Sequence, residues 1–196
     1  MGSVLVIGGG AAGLAAAIAA AECGDTVTVA EKMDRVGKKI LATGNGRCNL
    51  MNTGAPRYPG NAAFAADVLS HCGAEAQKAF WEHLGLRLRQ EEAGRVYPVS
   101  SQASSVLDAL RLQLTALHVR VVTGVSITAL HRENDGWTAL SADGQQFRAN
   151  RVIISGGGCA QPKLGSDGSA LRLLTNLGCP ATTFAPALTQ IITDST

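Results

Sequence analysis

"SVLVIGGGAAGLAAAIAAAECGDTVTVAE", Ser3 to Glu31, decides the fold. Ser3 to Ile7 is a β-branched, apolar run without polar alternation, the pattern of a central parallel strand. Gly8-Gly9-Gly10 breaks it. Ala11 to Cys23 is alanine-rich and helix-favouring, and Gly24 stands where a left-handed residue would end that helix. Thr26 to Ala30 is a second strand, with Glu31 directly after it. The stretch is therefore a β-α-β unit whose first turn reads G-x-G-x-x-G: Gly8, Gly10 and Gly13. The first glycine permits the tight turn, the second lets backbone approach a pyrophosphate, and the third lets helix pack on strand. The helix N-terminus offers N–H groups and the positive end of its dipole to phosphate. A carboxylate at Glu31 is placed to accept from an adenosine ribose, and it would repel a 2′-phosphate. A ligand-free glycine turn is the alternative; strand, helix and acid in register speak against it. Both NAD and FAD bind in this way, so the fingerprint does not choose between them.

Outward from this unit the chain stays α/β. Lys32 to Pro59 is irregular and glycine-bearing. Ala62 to Gly73 and Ala74 to Leu84 read as helices, and Leu86 to Val99 as a hairpin-like segment around Gly94. Ser104 to Leu117 is an amphipathic helix with Val106, Leu107, Leu110, Leu114 and Leu117 on one face. From Arg120 the period becomes two: Arg120 to Thr128, Trp137 to Ser141 and Gln146 to Ala149 are expected to form an antiparallel meander, turning at Asp143-Gly144. Val152 to Ser155 is a further apolar strand that runs into Gly156-Gly157-Gly158. Ser169 to Leu177 reads as a helix, and Pro186 to Thr196 as the start of something strand-like.

Composition narrows the classes of function. The 196 residues are 46% apolar and 16% charged, enough to bury a core and unlike a disordered chain. A net charge of +2 and 4% aromatic residues advertise neither a nucleic-acid nor an anionic-membrane partner. The apolar start lacks the basic flank of a signal peptide and is broken by glycines and Glu22, so it is expected to be a buried strand and helix. Five cysteines without a CxxC pair suggest reduced thiols and a cytoplasmic location. The four histidines show no paired-ligand spacing, and no metal site is expected.

The remaining glycine-rich stretches carry a resemblance. Glu31-Lys32, "VGKKILATGNGRCNLMN" (Val36 to Asn52), "GRVYPVSSQASSVLDAL" (Gly94 to Leu110) and "RVIISGGGCAQPKLGSDGSALRLLTNLG" (Arg151 to Gly178) resemble a bacterial family of flavoproteins with two dinucleotide-binding domains. That family includes 3-dehydro-bile-acid Δ4,6-reductase and aminoacetone-oxidase-like proteins. The resemblance implies a Rossmann-like FAD-binding domain: a parallel sheet with helices and an inserted antiparallel β-meander, apparently incomplete at its C-terminus. It implies FAD at Gly8, Gly10 and Gly13 (pyrophosphate) and at Glu31 (ribose), with Ala12 and Lys32 also among the cofactor-binding residues. Gly37 and Lys38, with Asn45, Gly46, Arg47, Cys48 and Asn49, would wrap the pyrophosphate and the flavin side. Val125, in the first strand of the meander, would meet adenine through its backbone, and Gly156 and Gly157 would pass close to the dinucleotide. Arg47 is suited to offset phosphate charge. Cys48 is either a group near the flavin or, more in keeping with its loop, a small packed residue. Arg95 and Tyr97 have a flavin contact or hairpin packing open to them, while Lys163 and Ser166 to Gly168 would line the loop after the returning strand.

This chain departs from the family pattern "GGGRCNLTN" at Asn45 and Met51. Family members run to about twice its length, with a substrate-side domain inserted after Pro186-Ala187-Leu188. The expected organisation is residues 1–186 as the N-terminal portion of the FAD-binding domain and residues 187–196 as the start of the insertion. The expected function is an FAD-dependent oxidoreductase acting on a small molecule, with NAD(P)H as a transient electron donor. The alternatives are an NAD-dependent Rossmann dehydrogenase and a non-catalytic flavin- or nucleotide-binding module. No residue of the chain is nameable as catalytic acid or base.

Overall fold

A computed structural model describes residues 1–55, 58 and 60–184. In chain order these form β1 (Ser3–Ile7), α1 (Ala11–Glu22), β2 (Thr26–Glu31), α2 (Lys38–Ala42), β3 (Met51–Asn52), α3 (Ala62–His71), α4 (Ala74–His83), β4 (Leu88–Gln90), β5 (Arg95–Pro98), α5 (Ala103–Ala116), β6 (Arg120–Thr123), β7 (Ile127–Glu133), β8 (Gly136–Ser141), β9 (Gln146–Ala149), β10 (Arg151–Ile154) and α6 (Ser169–Asn176). Four strands make a parallel sheet in the order β10-β1-β2-β6. Two three-stranded antiparallel sheets accompany it, β3-β5-β4 and the meander β7-β8-β9.

The central strand β1 is covered on both sides, which is why its sequence never alternates with polar residues. Val4 and Val6 face one core with Val27, Val29, Leu14, Ile18, Val106, Leu107, Leu110 and Leu114. Leu5 and Ile7 face the other, made with Ala30, Ile127, Leu130, Ala139, Phe147 and Leu173. Helices α1 and α5 thus cover one face, and the meander with α6 covers the opposite one. Burying each such aliphatic side chain contributes about 1.5–3 kcal/mol, so this double layer anchors the loops at the strand ends.

The expected strand Arg120 to Thr128 is two strands. Arg120–Thr123 adds to the parallel sheet beside β2, and Ile127–Glu133 opens the meander. Between them Gly124 has φ +73°, a left-handed conformation that only glycine adopts without strain, and the chain changes direction there. Val125 therefore lies in the link between sheets and not in the first strand of the meander. A second difference is the short helix α2 inside the stretch read as irregular. The α1 helix ends as its sequence indicates: Gly24 has φ +88°, and its N–H donates to the Ala21 carbonyl at 2.9 Å. The strand-like start at Pro186 to Thr196 and the boundary at 186/187 lie outside the described residues. No helix among the described residues is long and apolar enough to cross a membrane, and none of their side chains form a group of three or more metal ligands.

Candidate dinucleotide site

The three fingerprint glycines have different structural reasons. Gly8 has φ +108°, and a Cβ there would lie 2.7 Å from the Gly156 Cα, so the β1 and β10 loops cross with no side chain between them. A Cβ on Gly13 would lie 1.9 Å from the Gly8 carbonyl oxygen and 2.5 Å from Ser155 Oγ; helix α1 rests directly on the loop. Gly10 is unlike both. Its backbone is extended (φ −81°, ψ −173°), and among the described residues a Cβ there would meet nothing within 4 Å. Neither strain nor packing among the described residues requires glycine at this position. Gly10 caps α1 without a side-chain hydrogen bond, and the first turn carries no acidic residue. The N–H groups of that turn have no partners within the helix, so an anion is their natural complement.

Glu31 ends β2 beneath this loop and is buried. Its carboxylate accepts from the Gly9 N–H at 2.6 Å and from the Met33 N–H at 2.8 Å. Its carbonyl accepts from the Val125 N–H at 2.9 Å. Glu31 therefore holds the glycine loop, the end of β2 and the β6–β7 link in one arrangement. Gly37 closes the loop from outside: its N–H donates to the Gly9 carbonyl at 2.8 Å, and a Cβ there would lie 2.3 Å from Leu107 Cδ1. The opposite wall comes from the end of β10, where Ser155 Oγ donates to the Gly8 carbonyl at 2.9 Å.

Between these walls lies a cleft of about 270 Å³, lined among others by Gly8, Gly10, Ala12, Glu31, Gly37, Lys38, Gly156 and Gly157. A narrower recess of about 40 Å³ continues from it past Gly8, Glu31 and Gly156 to Lys32, Val125, Ala30 and Leu173. Beyond Ala11 and Lys39, on the other side, is an apolar recess of about 180 Å³ with Ile40, Cys48, Asn49, Leu50, Trp81 and Val106 on its walls. Lys32 binds Asp167 at 2.5 Å and Ser169 Oγ at 3.0 Å, tying the end of β2 to the start of α6. The Lys32 ammonium and the Ser169 groups that donate to Asp167 hold its carboxyl well below the usual carboxylate range. Lys38 pairs with Asp34 at 2.6 Å.

The loop Thr43 to Asn49 turns on left-handed residues: Gly44 (φ +56°), Asn45 (φ +54°), Gly46 (φ +81°) and Cys48 (φ +57°). Asparagine is one of the few side chains that tolerate this conformation, which accounts for Asn45 where the family pattern has glycine. Asn45 and Gly46 are exposed and line none of the three cavities. Arg47 faces Glu91, at 2.5 Å, and stacks 4.1 Å from the Tyr97 ring centroid. Its charge is met by a carboxylate and not aimed at the cleft, contrary to the phosphate duty its sequence suggests. Arg47 and Arg89, both bonded to Glu91, keep that carboxyl low. Tyr97 packs under Arg47, and Arg95 Nε donates to the Glu92 carbonyl at 3.2 Å, so both serve the β4–β5 hairpin. Cys48 is buried, and burial pushes its thiol up; it sits there as a protonated, packed group. Lys163 is exposed, whereas Ser166 is buried and lines the cleft.

Lys39 and Ser155 carry no mark in the sequence. Lys39 is hidden by its neighbour: in a Lys-Lys pair on a short helical turn, only tertiary structure says which amine reaches across the cleft to Ser166 and which pairs with Asp34. Ser155 reads as the last residue of a strand, and nothing local marks its hydroxyl as a bridge to the Gly8 carbonyl.

These features define a Rossmann-type dinucleotide cleft at the carboxyl ends of parallel strands. A family model described as "HI0933-like protein Rossmann domain" matches residues 2–185, and the chain belongs to that family. It is 44% identical over 196 residues to 3-dehydro-bile acid Δ(4,6)-reductase of Clostridium scindens, a match that takes in 97% of this chain and 47% of that protein. It is 25% identical over 188 residues to ribosomal RNA dihydrouridine synthase of Haemophilus influenzae, covering 90% of this chain and 45% of the other. The chain spans about half the length of the curated relatives it matches. Among solved structures, the open conformation of a flavocytochrome c3 fumarate reductase superposes with a TM-score of 0.64 at 17% identity, over 90% of this chain and 40% of that one. At that identity the likeness shows the fold.

Proposed function

We propose that this chain is the FAD-binding part of an oxidoreductase that adds hydrogen across a carbon–carbon double bond of a small unsaturated molecule. The observation that carries the dinucleotide site is the open space over Gly10 at the uncapped end of α1, in the same cleft that Glu31 lines; the reduction is taken from the likeness to the C. scindens reductase. A pyrophosphate fits that space, because the first turn of α1 supplies backbone donors and no side chain among the described residues caps them. In this reading Gly8, Gly10, Ala12 and Gly13 hold the pyrophosphate, with Gly37, Lys38, Gly156 and Gly157 around it. Glu31 and Lys32 serve the ribose, and Val125 meets adenine in the narrow recess. Of the loop Asn45 to Asn49, Cys48 and Asn49 line the apolar recess on the flavin side.

Bound there, FAD supplies hydride chemistry, while the protein supplies position and electrostatics. A reductase needs a two-electron donor, and NAD(P)H fills that place in the proposal. The C. scindens relative, at the higher identity, favours a small molecule over RNA as substrate, and a net charge of +2 offers little to a polyanion. Residues 1–186 form the N-terminal portion of the FAD-binding domain in this reading, and residues 187–196 open a substrate-side insertion. The cytoplasm is the proposed compartment: all five cysteines are unpaired, four of them exposed.

The test is the visible spectrum of the purified protein with and without added FAD. Flavin bands retained by the wild type and lost in Gly10→Val are expected. A folded chain that takes up NAD in preference to FAD would establish the dehydrogenase reading instead. A folded wild-type protein that takes up neither FAD nor NAD would overturn the proposal.

A further inference from the structure

Three cations stand at the cleft, and they differ in how their charge is met. Arg35 is exposed at the rim. Lys38 is held by Asp34 at 2.6 Å. Lys39 is half-buried and has no carboxylate within ion-pair distance among the described residues. Its ammonium reaches across the cleft to the other wall, where it donates to Ser166 Oγ at 2.6 Å. A Cβ on Gly157 would lie 3.5 Å from Lys39 Nζ, so the amine stands over the glycine turn that follows β10. Lys39 also borders the apolar recess with Ala11, and so marks the junction between the two cavities. A half-buried ammonium bonded to one neutral hydroxyl is under-compensated, and a bound anion is the partner that would complete it.

We propose that Lys39 is the phosphate anchor of the cleft: it leaves Ser166 and pairs with the pyrophosphate of the bound dinucleotide, fixing where the phosphates end and the apolar recess begins. This rests on the reading of the cleft as a dinucleotide site. Ser166 is then the resting partner of the amine, and its hydroxyl competes with the ligand for the position of the ammonium. Lys39 and Ser166 thus have opposite effects on affinity, which a purely structural cross-brace between the two walls would not produce.

Isothermal titration with ADP, FAD and adenosine separates these possibilities. Lys39→Gln is expected to weaken ADP and FAD about tenfold or more, to flatten the salt dependence of their binding, and to leave adenosine unchanged. Lys39→Arg should recover most of the loss. Ser166→Ala should bind ADP as tightly as wild type or more tightly. The inference is overturned if Lys39→Gln binds ADP like wild type with the same salt dependence, or if Ser166→Ala and Lys39→Gln weaken it equally. A wild-type protein that binds none of the three ligands would overturn the dinucleotide reading itself, and this inference with it.

Discussion

Gly10 and Gly13 lie one helical turn apart, and substituting them separates binding from folding. At Gly13 the nearest atom to an added Cβ is a backbone carbonyl at 1.9 Å, so helix α1 would have to lift off the loop. Gly13→Ala should lower stability by about 1–3 kcal/mol, the usual cost of overpacking. At Gly10 the backbone is extended and the space open. Gly10→Ala should cost less than about 1 kcal/mol, as a weaker N-cap, and yet weaken FAD binding, because its methyl group enters the space assigned to pyrophosphate. Thermal unfolding and a flavin titration on both variants check the pair of outcomes. Glu31 is a poorer probe, because its carboxylate also pins the Gly9 and Met33 amides, and its loss would disturb loop and ligand together.

Between elements, the Lys32–Asp167 pair joins the end of β2 to the start of α6, and Asp167 also accepts from the Ser169 N–H at 3.0 Å. The folded carboxyl lies below its unfolded value, so the stabilisation is complete above the unfolded pKa of about 4 and is lost as pH falls through the lower folded value. Both side chains are partly exposed, so the contribution is modest and screened by salt. Denaturant unfolding should show wild type more stable than Asp167→Asn at neutral pH, with the difference shrinking as pH falls below about 4 and as ionic strength rises. The β6–β7 break belongs to this scale as well. Arg120 to Thr128 is rich in β-branched residues on both sides of Gly124, so the sequence reads as one strand. Only pairing with β2 on one side and β8 on the other shows that the run serves two sheets.

At the scale of the molecule, the proposed site is shared by parts far apart in the chain: the β1–α1 loop, the end of β2, the loop around Gly37, the β6–β7 link and the residues after β10. A ligand that bridges them stabilises the folded state as a whole. FAD at about a hundredfold above its dissociation constant should add about 2.7 kcal/mol, or about 5–10 °C in melting temperature, and should add nothing to Gly10→Val. Differential scanning fluorimetry on both proteins measures this. The amino-acid sequence by itself determined the β-α-β unit, the glycine fingerprint, the acid after β2 and nearly every helix. Those signals are local: periodicity, turn residues and fixed spacing, each set by backbone geometry within one or two elements. Tertiary structure alone decided that Lys39 and not Lys38 crosses the cleft, that Arg47 answers to Glu91, and that Gly124 divides two strands. Each of these depends on which distant side chain or strand edge stands opposite, and a long flexible cation or an unpaired strand carries no local mark of its partner.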